Sequence, residues 1–163
     1  MTSGRVEAIY VGPREAGPLH EVREVRAVAG KGLEGDRKYR DRFPAHKRAE
    51  PGRDLTLIEA EALEALAEEH GIELGPGESR RQILTRGLRL NPLVGKRFRV
   101  GDVECVGIEQ CEPCAHLQSL TQPGVMRGLV HRGGLRADII TGGTIRAGDP
   151  IDEVADRASS PAA

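Results

Sequence analysis

Three cysteines and one histidine stand out as the residues equipped for chemistry, and three of the four fall within ten positions. Cys111, Cys114 and His116 lie in "IEQCEPCAHL" (Ile108–Leu117), while Cys105 precedes them on an apolar, alternating segment. The stretch leaves that strand and is expected to enter a helical turn near Pro113. Cys114 would then sit in the first turn, where free backbone N–H groups and the helix dipole favour a thiolate. A thiolate is a nucleophile, a redox group or a ligand for a soft metal.

Four readings compete. A zinc site would use Cys105, Cys111, Cys114 and His116, but the spacing is irregular and no second knuckle follows. The "CEPC" run resembles the C-x-P-C motif of thioredoxins, but those proteins carry it early, in a βαβ unit that is missing around it here. The cysteines could be small core residues, which suits Cys105 alternating with Val103. The favoured reading is a single functional cysteine, Cys114, in a pocket.

Glycine and arginine cluster in three further segments. "GKGLEGDRKY" (Gly30–Tyr39) brings Gly32, Glu34, Gly35, Asp36 and Arg37 together after a strand. Glycines there let backbone amides approach an anion, as in a nest. The plainer reading is a turn carrying an Asp36–Arg37 ion pair. The segment is neither a Walker loop nor a dinucleotide fingerprint. "SRRQILTRG" (Ser79–Gly87) opens a strand with Arg80 and Arg81; alternation sends them to opposite faces, and Arg81 shares the face of Ile83. "HRGGLRAD" (His131–Asp138) places Arg132 before a double glycine. Three such clusters around one cysteine suit an anionic, phosphate-bearing ligand, because guanidinium forks match phosphate geometry.

The elements that must position these residues are short. Strands are expected over Val6–Val11, Glu21–Val28, Asp54–Ile58, Gln82–Thr85, Arg97–Val100, Val103–Glu109, Leu135–Ile140 and Thr144–Arg146. Closely punctuated strands of this length read as a sandwich or barrel. "FRVGDVEC" marks a hairpin at Gly101–Asp102, and "IRAGDP" echoes it at Ile145–Pro150. One long helix is expected from Glu59 to His70, with Ala60, Leu63, Leu66 and Ala67 at helical spacing, Thr56 and Glu59 at capping-box spacing, and Gly71 as the stop. It reads as a cover on the sheet. A shorter helix is expected over Gly124–His131. Asp41–Arg53 reads as a mobile loop and the end of the chain, from about Asp156, as a disordered tail.

The bulk numbers narrow the function class. A chain of 163 residues is the size of one domain with an aliphatic core, since aromatics are only 2% of it. Its 24 basic and 25 acidic residues nearly cancel. That balance and the lack of aromatic platforms argue against binding long nucleic acid. Twenty of the 24 cations are arginine, which fits either a GC-rich genome or several anion-holding forks. No signal peptide or apolar membrane span is seen, and an odd number of cysteines argues against a disulfide framework. The expected place is the reducing cytoplasm, away from membranes.

Taken in order, "GLEGDRKY", "DLTLIEAEALEAL", "RRQILTRGLRLNPLVGKRFRVGDVEC", "CEPC" and "RGGLRADIITGGTIRAGDPI" resemble the MOSC domain family, related to the C-terminal domain of molybdenum cofactor sulfurases. The resemblance spans about residues 5 to 151 of the chain. It implies a mainly β fold, a closed β-barrel like the pyruvate kinase barrel domain, with one long and one or two short helices. The barrel domain would occupy residues 1–151 and the tail residues 152–163. It also implies a cysteine that ligates the molybdenum of a pterin cofactor (molybdopterin) or carries sulfur as a persulfide; the matching residue is Cys114. Arg81, Arg132 and the Gly32–Arg37 loop, with Glu34, Gly35 and Asp36, would hold the pterin phosphate.

As an oxidoreductase the protein would reduce N-oxygenated small molecules with electrons from an electron-transfer protein. As a sulfur carrier or cofactor-handling module it would draw on a cysteine desulfurase, with no turnover of its own. A non-catalytic barrel that senses an anion is a third reading. The chain departs from the family in reading Gln82 where relatives commonly have asparagine, and in lacking an acid near Asn91. The pyridoxal phosphate-dependent domain of some relatives is missing from this sequence, so pyridoxal phosphate is not expected on this chain.

Overall fold

Residues 3–39 and 50–155 are described in this computed structural model. Within them the chain runs β1 (Ser3–Val11), β2 (His20–Val22), β3 (Glu24–Val28), β4 (Gly32–Leu33), β5 (Leu55–Glu59), α1 (Ala60–His70), β6 (Ile83–Arg86), β7 (Arg97–Val100), β8 (Val103–Gln110), α2 (Ala115–Leu120), α3 (Val125–Gly128), β9 (Leu135–Thr141), β10 (Gly143–Arg146) and β11 (Pro150–Glu153). A 3-10 turn over Asn91–Leu93 precedes β7.

Seven strands close a barrel in the order β11-β7-β8-β9-β5-β6-β1, with β1 returning to pair with β11. Closure follows from the length of β1. Its first residues, Ser3–Arg5, pair with β11, while Arg5–Ile9 pair with β6 across a register shift between Val6 and Ala8. The mainly β barrel with few helices is therefore the observed fold, as the family resemblance implies. Inward positions alternate along the strands and fill the interior with Ile9, Leu55, Leu57, Ile83, Phe98, Val100, Leu135 and Ile145, each 0% exposed. Burying each such side chain is worth about 2 kcal/mol. Cys105 belongs to this interior at 0% exposure. Burial pushes its thiol up from the ordinary value, so it is a neutral core residue.

Four expectations need adjusting. Glu21–Val28 is not one strand: it breaks at Arg23, whose carbonyl accepts from Ala147 N–H. β2 stays on the barrel with β1, and β3 joins β10 and β4 in a separate three-stranded sheet. The "IRAGDP" echo is a different device from the β7–β8 hairpin, because it carries the chain from β10 in the small sheet to β11 in the barrel. The helix begins at Ala60 with Glu59 as N-cap and no side-chain cap bond. The Thr56 hydroxyl instead accepts from Gln82 N–H, and the Glu59 carboxylate accepts from Leu90 N–H. Lastly, the short helix is confined to Val125–Gly128.

Helix α1 is the crossover between β5 and β6, a parallel pair that no tight turn can join. It ends as expected at Gly71, in left-handed conformation with φ 65°, whose N–H reaches the Ala67 carbonyl. Its Leu66 packs with Ile72, Leu117, Val125 and Leu129 in a second apolar cluster. Leu117 is how that cluster matters to function: it pins the helix that starts immediately after Cys114. The Asp41–Arg53 loop and the Asp156 tail of the sequence reading fall wholly or largely outside the described residues. No helix among the described residues is long and apolar enough to cross a membrane.

Candidate functional site

A cleft of about 180 Å³ opens beside the end of β8, lined by Cys111, Cys114, His116, Leu117, Thr56, Glu15, Arg37, Lys38, Arg80, Arg81 and Arg136. Five cations face one carboxylate there. The sulfur chemistry comes from the β8–α2 connection. Cys111 follows the last residue of β8 and is 2% exposed, whereas Cys114 is exposed. Cys114 is the N-cap of α2 in extended conformation (φ −136°, ψ 171°), one residue before the helix that was expected to include it, and its carbonyl accepts from Gln118 N–H.

Arg81 holds that connection in place. Its Nε donates to the Gly133 carbonyl at 2.8 Å, and Nη2 donates to the Cys111 carbonyl at 3.0 Å and the Glu112 carbonyl at 3.5 Å. The guanidinium is thus satisfied by backbone dipoles, with no carboxylate partner among the described residues. Burial pushes its pKa down, nearby Arg136 and Arg37 act in the same sense, and the Cys111 and Cys114 sulfurs oppose them. A cation that burial disfavours and no acid neutralises is an attraction for any anion entering the cleft. Gly133 permits the close approach: a Cβ there would lie 2.5 Å from the Cys111 carbonyl oxygen and 2.8 Å from Pro113 Cδ.

The opposite wall is built on Asp36, 1% exposed. Oδ1 accepts from Gly12 N–H at 3.0 Å and Arg37 Nη1 at 3.0 Å, and Oδ2 accepts from Lys38 N–H at 3.1 Å and Gln82 Nε2 at 2.8 Å. The Asp36–Arg37 ion pair of the plainer sequence reading is therefore present, buried, and presents Arg37 to the cleft. Gln82 is the piece that sequence reasoning missed. Its Oε1 accepts from Thr56 N–H while its Nε2 reaches Asp36, so one amide joins β5 to the Gly32–Arg37 loop. Only its departure from the family pattern pointed to it.

Arg80 also reaches the cleft, where alternation placed only one of the pair. The strand begins at Ile83, and Arg80 lies before it in left-handed conformation, φ 63°. Strand alternation does not govern that turn. Arg80 Nη1 donates to Gly17 O at 2.7 Å, and Arg37 Nη2 donates to the Arg80 carbonyl. Burial, with Arg37 beside both, lowers the pKa of Arg80 and of Lys38 from their ordinary values. Lys38 and Arg136 complete the cationic lining without having been singled out by sequence.

Of the other expected residues, Gly32 lies in β4 with φ 117°, and a Cβ there would press on the Asp54 carbonyl at 3.1 Å. Gly35 is left-handed at φ 86° and Glu34 is exposed; both shape the turn that leads to Asp36, and neither lines the cleft. Arg132 is directed elsewhere: Nε donates to the Gly128 carbonyl and Nη2 pairs with Glu69 of α1 at 3.0 Å. The four-ligand zinc arrangement does not form, since Cys105 is inside the barrel. Among the described residues no group of three His, Cys, Asp or Glu side chains could hold a metal ion.

The model of the MOSC domain matches residues 44–152. The YuaD protein of Bacillus subtilis is similar in fold, with TM-score 0.77 and 15% identity over 93% of this chain and 95% of that one. YiiM of Geobacillus stearothermophilus follows with TM-score 0.69 and 14% identity, covering 93% of this chain and 75% of its own. YiiM of Escherichia coli has TM-score 0.65 and 19% identity, covering 93% and 70%. No curated protein matches the chain. With the family model spanning most of the chain and the barrel in place, the chain belongs to the MOSC domain family, which is associated with molybdenum cofactor binding and sulfurase-like function.

Proposed function

We propose that the cleft binds a molybdenum cofactor, with Cys114 as the protein's thiolate ligand, and that the protein reduces N-oxygenated small molecules. The observation that carries this reading is an exposed thiol opening onto five cations and one carboxylate. The donor set fits the group. No multi-residue cage for a bare ion is present among the described residues, so a metal held here has to arrive with ligands of its own. One thiolate suits a soft centre, and the arginines suit a phosphate.

Arg37, Lys38, Arg80 and Arg136 would face the phosphate-bearing part of the cofactor, and Arg81 would fix the loop that carries the thiol. When bound, the cofactor supplies two-electron redox chemistry, fed by a partner electron-transfer protein. The chain's own residues orient it, offset its negative charge and hold the thiol at the mouth of the cleft.

The test is molybdenum content and pterin fluorescence of protein purified from a cofactor-competent host, beside its Cys114→Ala variant. Metal and pterin in the parent, with molybdenum weakened in the variant, are expected. Their absence from the parent would refute the reading.

A second reading, a sulfur carrier supplied by a cysteine desulfurase, is favoured by one specific observation: a second thiol, Cys111, lines the same cleft. An exposed Cys114 can accept sulfur from a donor protein, and a neighbouring thiol gives that sulfur somewhere to go.

A further inference from the structure

We infer that Cys111 is a resolving thiol, which discharges sulfur carried on Cys114 as sulfide by closing a Cys111–Cys114 disulfide. The inference rests on the sulfur-carrier reading of Cys114 and adds to it a second reacting residue and a product.

Placement separates the roles of the two thiols. Cys114 is exposed at the start of α2, whereas Cys111 is 2% exposed, yet both line one cleft. A donor protein from solvent meets Cys114 first. Cys111 is shielded from such a partner and faces the space in which Cys114 lies. Cys105 cannot substitute, because it sits in the barrel interior.

Cys111 is also held at both ends of its peptide unit. Its N–H donates to the Gly134 carbonyl at 2.7 Å and its carbonyl accepts from Arg81 Nη2 at 3.0 Å. Two residues, Glu112 and Pro113, separate the cysteines, the spacing of redox-active C-x-x-C pairs. The charge nearest in sequence is led away, since the Glu112 carboxylate accepts from His131 N–H at 2.7 Å and pairs with His131 Nδ1 at 3.0 Å. Both sulfurs instead lie within electrostatic reach of the buried Arg81 guanidinium.

The step balances as follows. A sulfane-sulfur donor leaves Cys114 as Sγ–SH. The Cys111 thiolate attacks the Cys114 Sγ; the Sγ–Sγ bond forms, the bond to the outer sulfur breaks, and HS⁻ departs with the electron pair. The outer sulfur is reduced to sulfide and the two cysteines are oxidised to a disulfide. A small dithiol reductant returns both to thiols.

The experiment uses the full chain, reduced and desalted, then treated with inorganic polysulfide, quenched with iodoacetamide and mapped as non-reduced peptides. The expected result is a Cys111–Cys114 linkage with sulfide released in equal amount. In Cys111→Ser, alkylated persulfide should accumulate on Cys114 and sulfide release should fall to background. Persulfide persisting on Cys114 of the unaltered protein, with Cys111 recovered as a free thiol, overturns the inference while leaving the carrier reading intact. No sulfur on Cys114 in either protein sinks the carrier reading and the inference together. The map of the unaltered protein decides the matter even if Cys111→Ser fails to fold.

Discussion

Arg81 and Arg132 come from segments of the same Gly/Arg character, yet the fold uses them in opposite ways. Arg81 is 8% exposed and satisfied by carbonyls from the β8–α2 connection and the turn before β9. Arg132 is on the surface, its side chain 29% exposed, and its charge is met by Glu69. Both guanidiniums have partners. The difference is that one partner set cancels the charge and the other leaves it to act on the cleft. A Gly/Arg motif therefore says that a fork is available, and the acceptors around it decide whether it becomes a surface ion pair or an anion-attracting wall.

The largest effect is expected from removing the buried fork. Arg81→Ala strips donors from the Gly133, Cys111 and Glu112 carbonyls, the first two through short, buried bonds. Losing hydrogen bonds from a buried charged group costs about 3 kcal/mol. Denaturant unfolding should show that loss, and molybdenum retained by the purified protein should fall with it. Unchanged stability would mean that the carbonyls find other donors, which would remove Arg81's role as the strut of the cysteine loop.

A smaller effect is expected across the cleft. Gln82 is long enough to reach both Thr56 of β5 and Asp36 at the head of the Arg37 turn. Gln82→Asn keeps the amide and removes one methylene, so only one of the two contacts can be kept. The expected cost is about 1 kcal/mol. Weaker binding of inorganic phosphate, measured by calorimetry, should accompany it, because Asp36 positions Arg37. A variant that loses stability but binds phosphate as before would show that the Asp36 network supports the barrel alone.

How much of this was legible from residues alone follows the range of the interactions involved. Strands such as Val103–Gln110 show their alternation locally, and α1 shows its period and its Gly71 stop. The break at Arg23 does not show locally, since it depends on Ala147 arriving from far along the chain. β4, of two residues, and β11, which begins with a proline, carry too little pattern to be read. In the site, Cys114, Arg37 and Arg81 were visible as residue types in suggestive company. Lys38 and Arg136 were not, and Arg80 was sent to the opposite face, because convergence on one cleft depends on which barrel strands become neighbours. The left-handed turn at Arg80 also defeats the alternation rule. Gln82 has no meaning until Thr56 and Asp36 are both placed.

The smallest effect is expected from Arg132→Ala, and it is the sharpest control on the comparison. Its ion pair with Glu69 spans the surface between α1 and the turn before β9. Exposed pairs are screened by water and salt and contribute little. The remaining bond to the Gly128 carbonyl is a local contact at the end of α3, where solvent can replace the guanidinium. The melting midpoint should move by about 2 °C or less, and phosphate affinity should stay as it was. A large fall in phosphate or molybdenum binding in this variant would place Arg132 in the ligand's path despite its orientation toward Glu69. The contrast with Arg81 would then fail, because a surface fork would be doing the work assigned to the buried one.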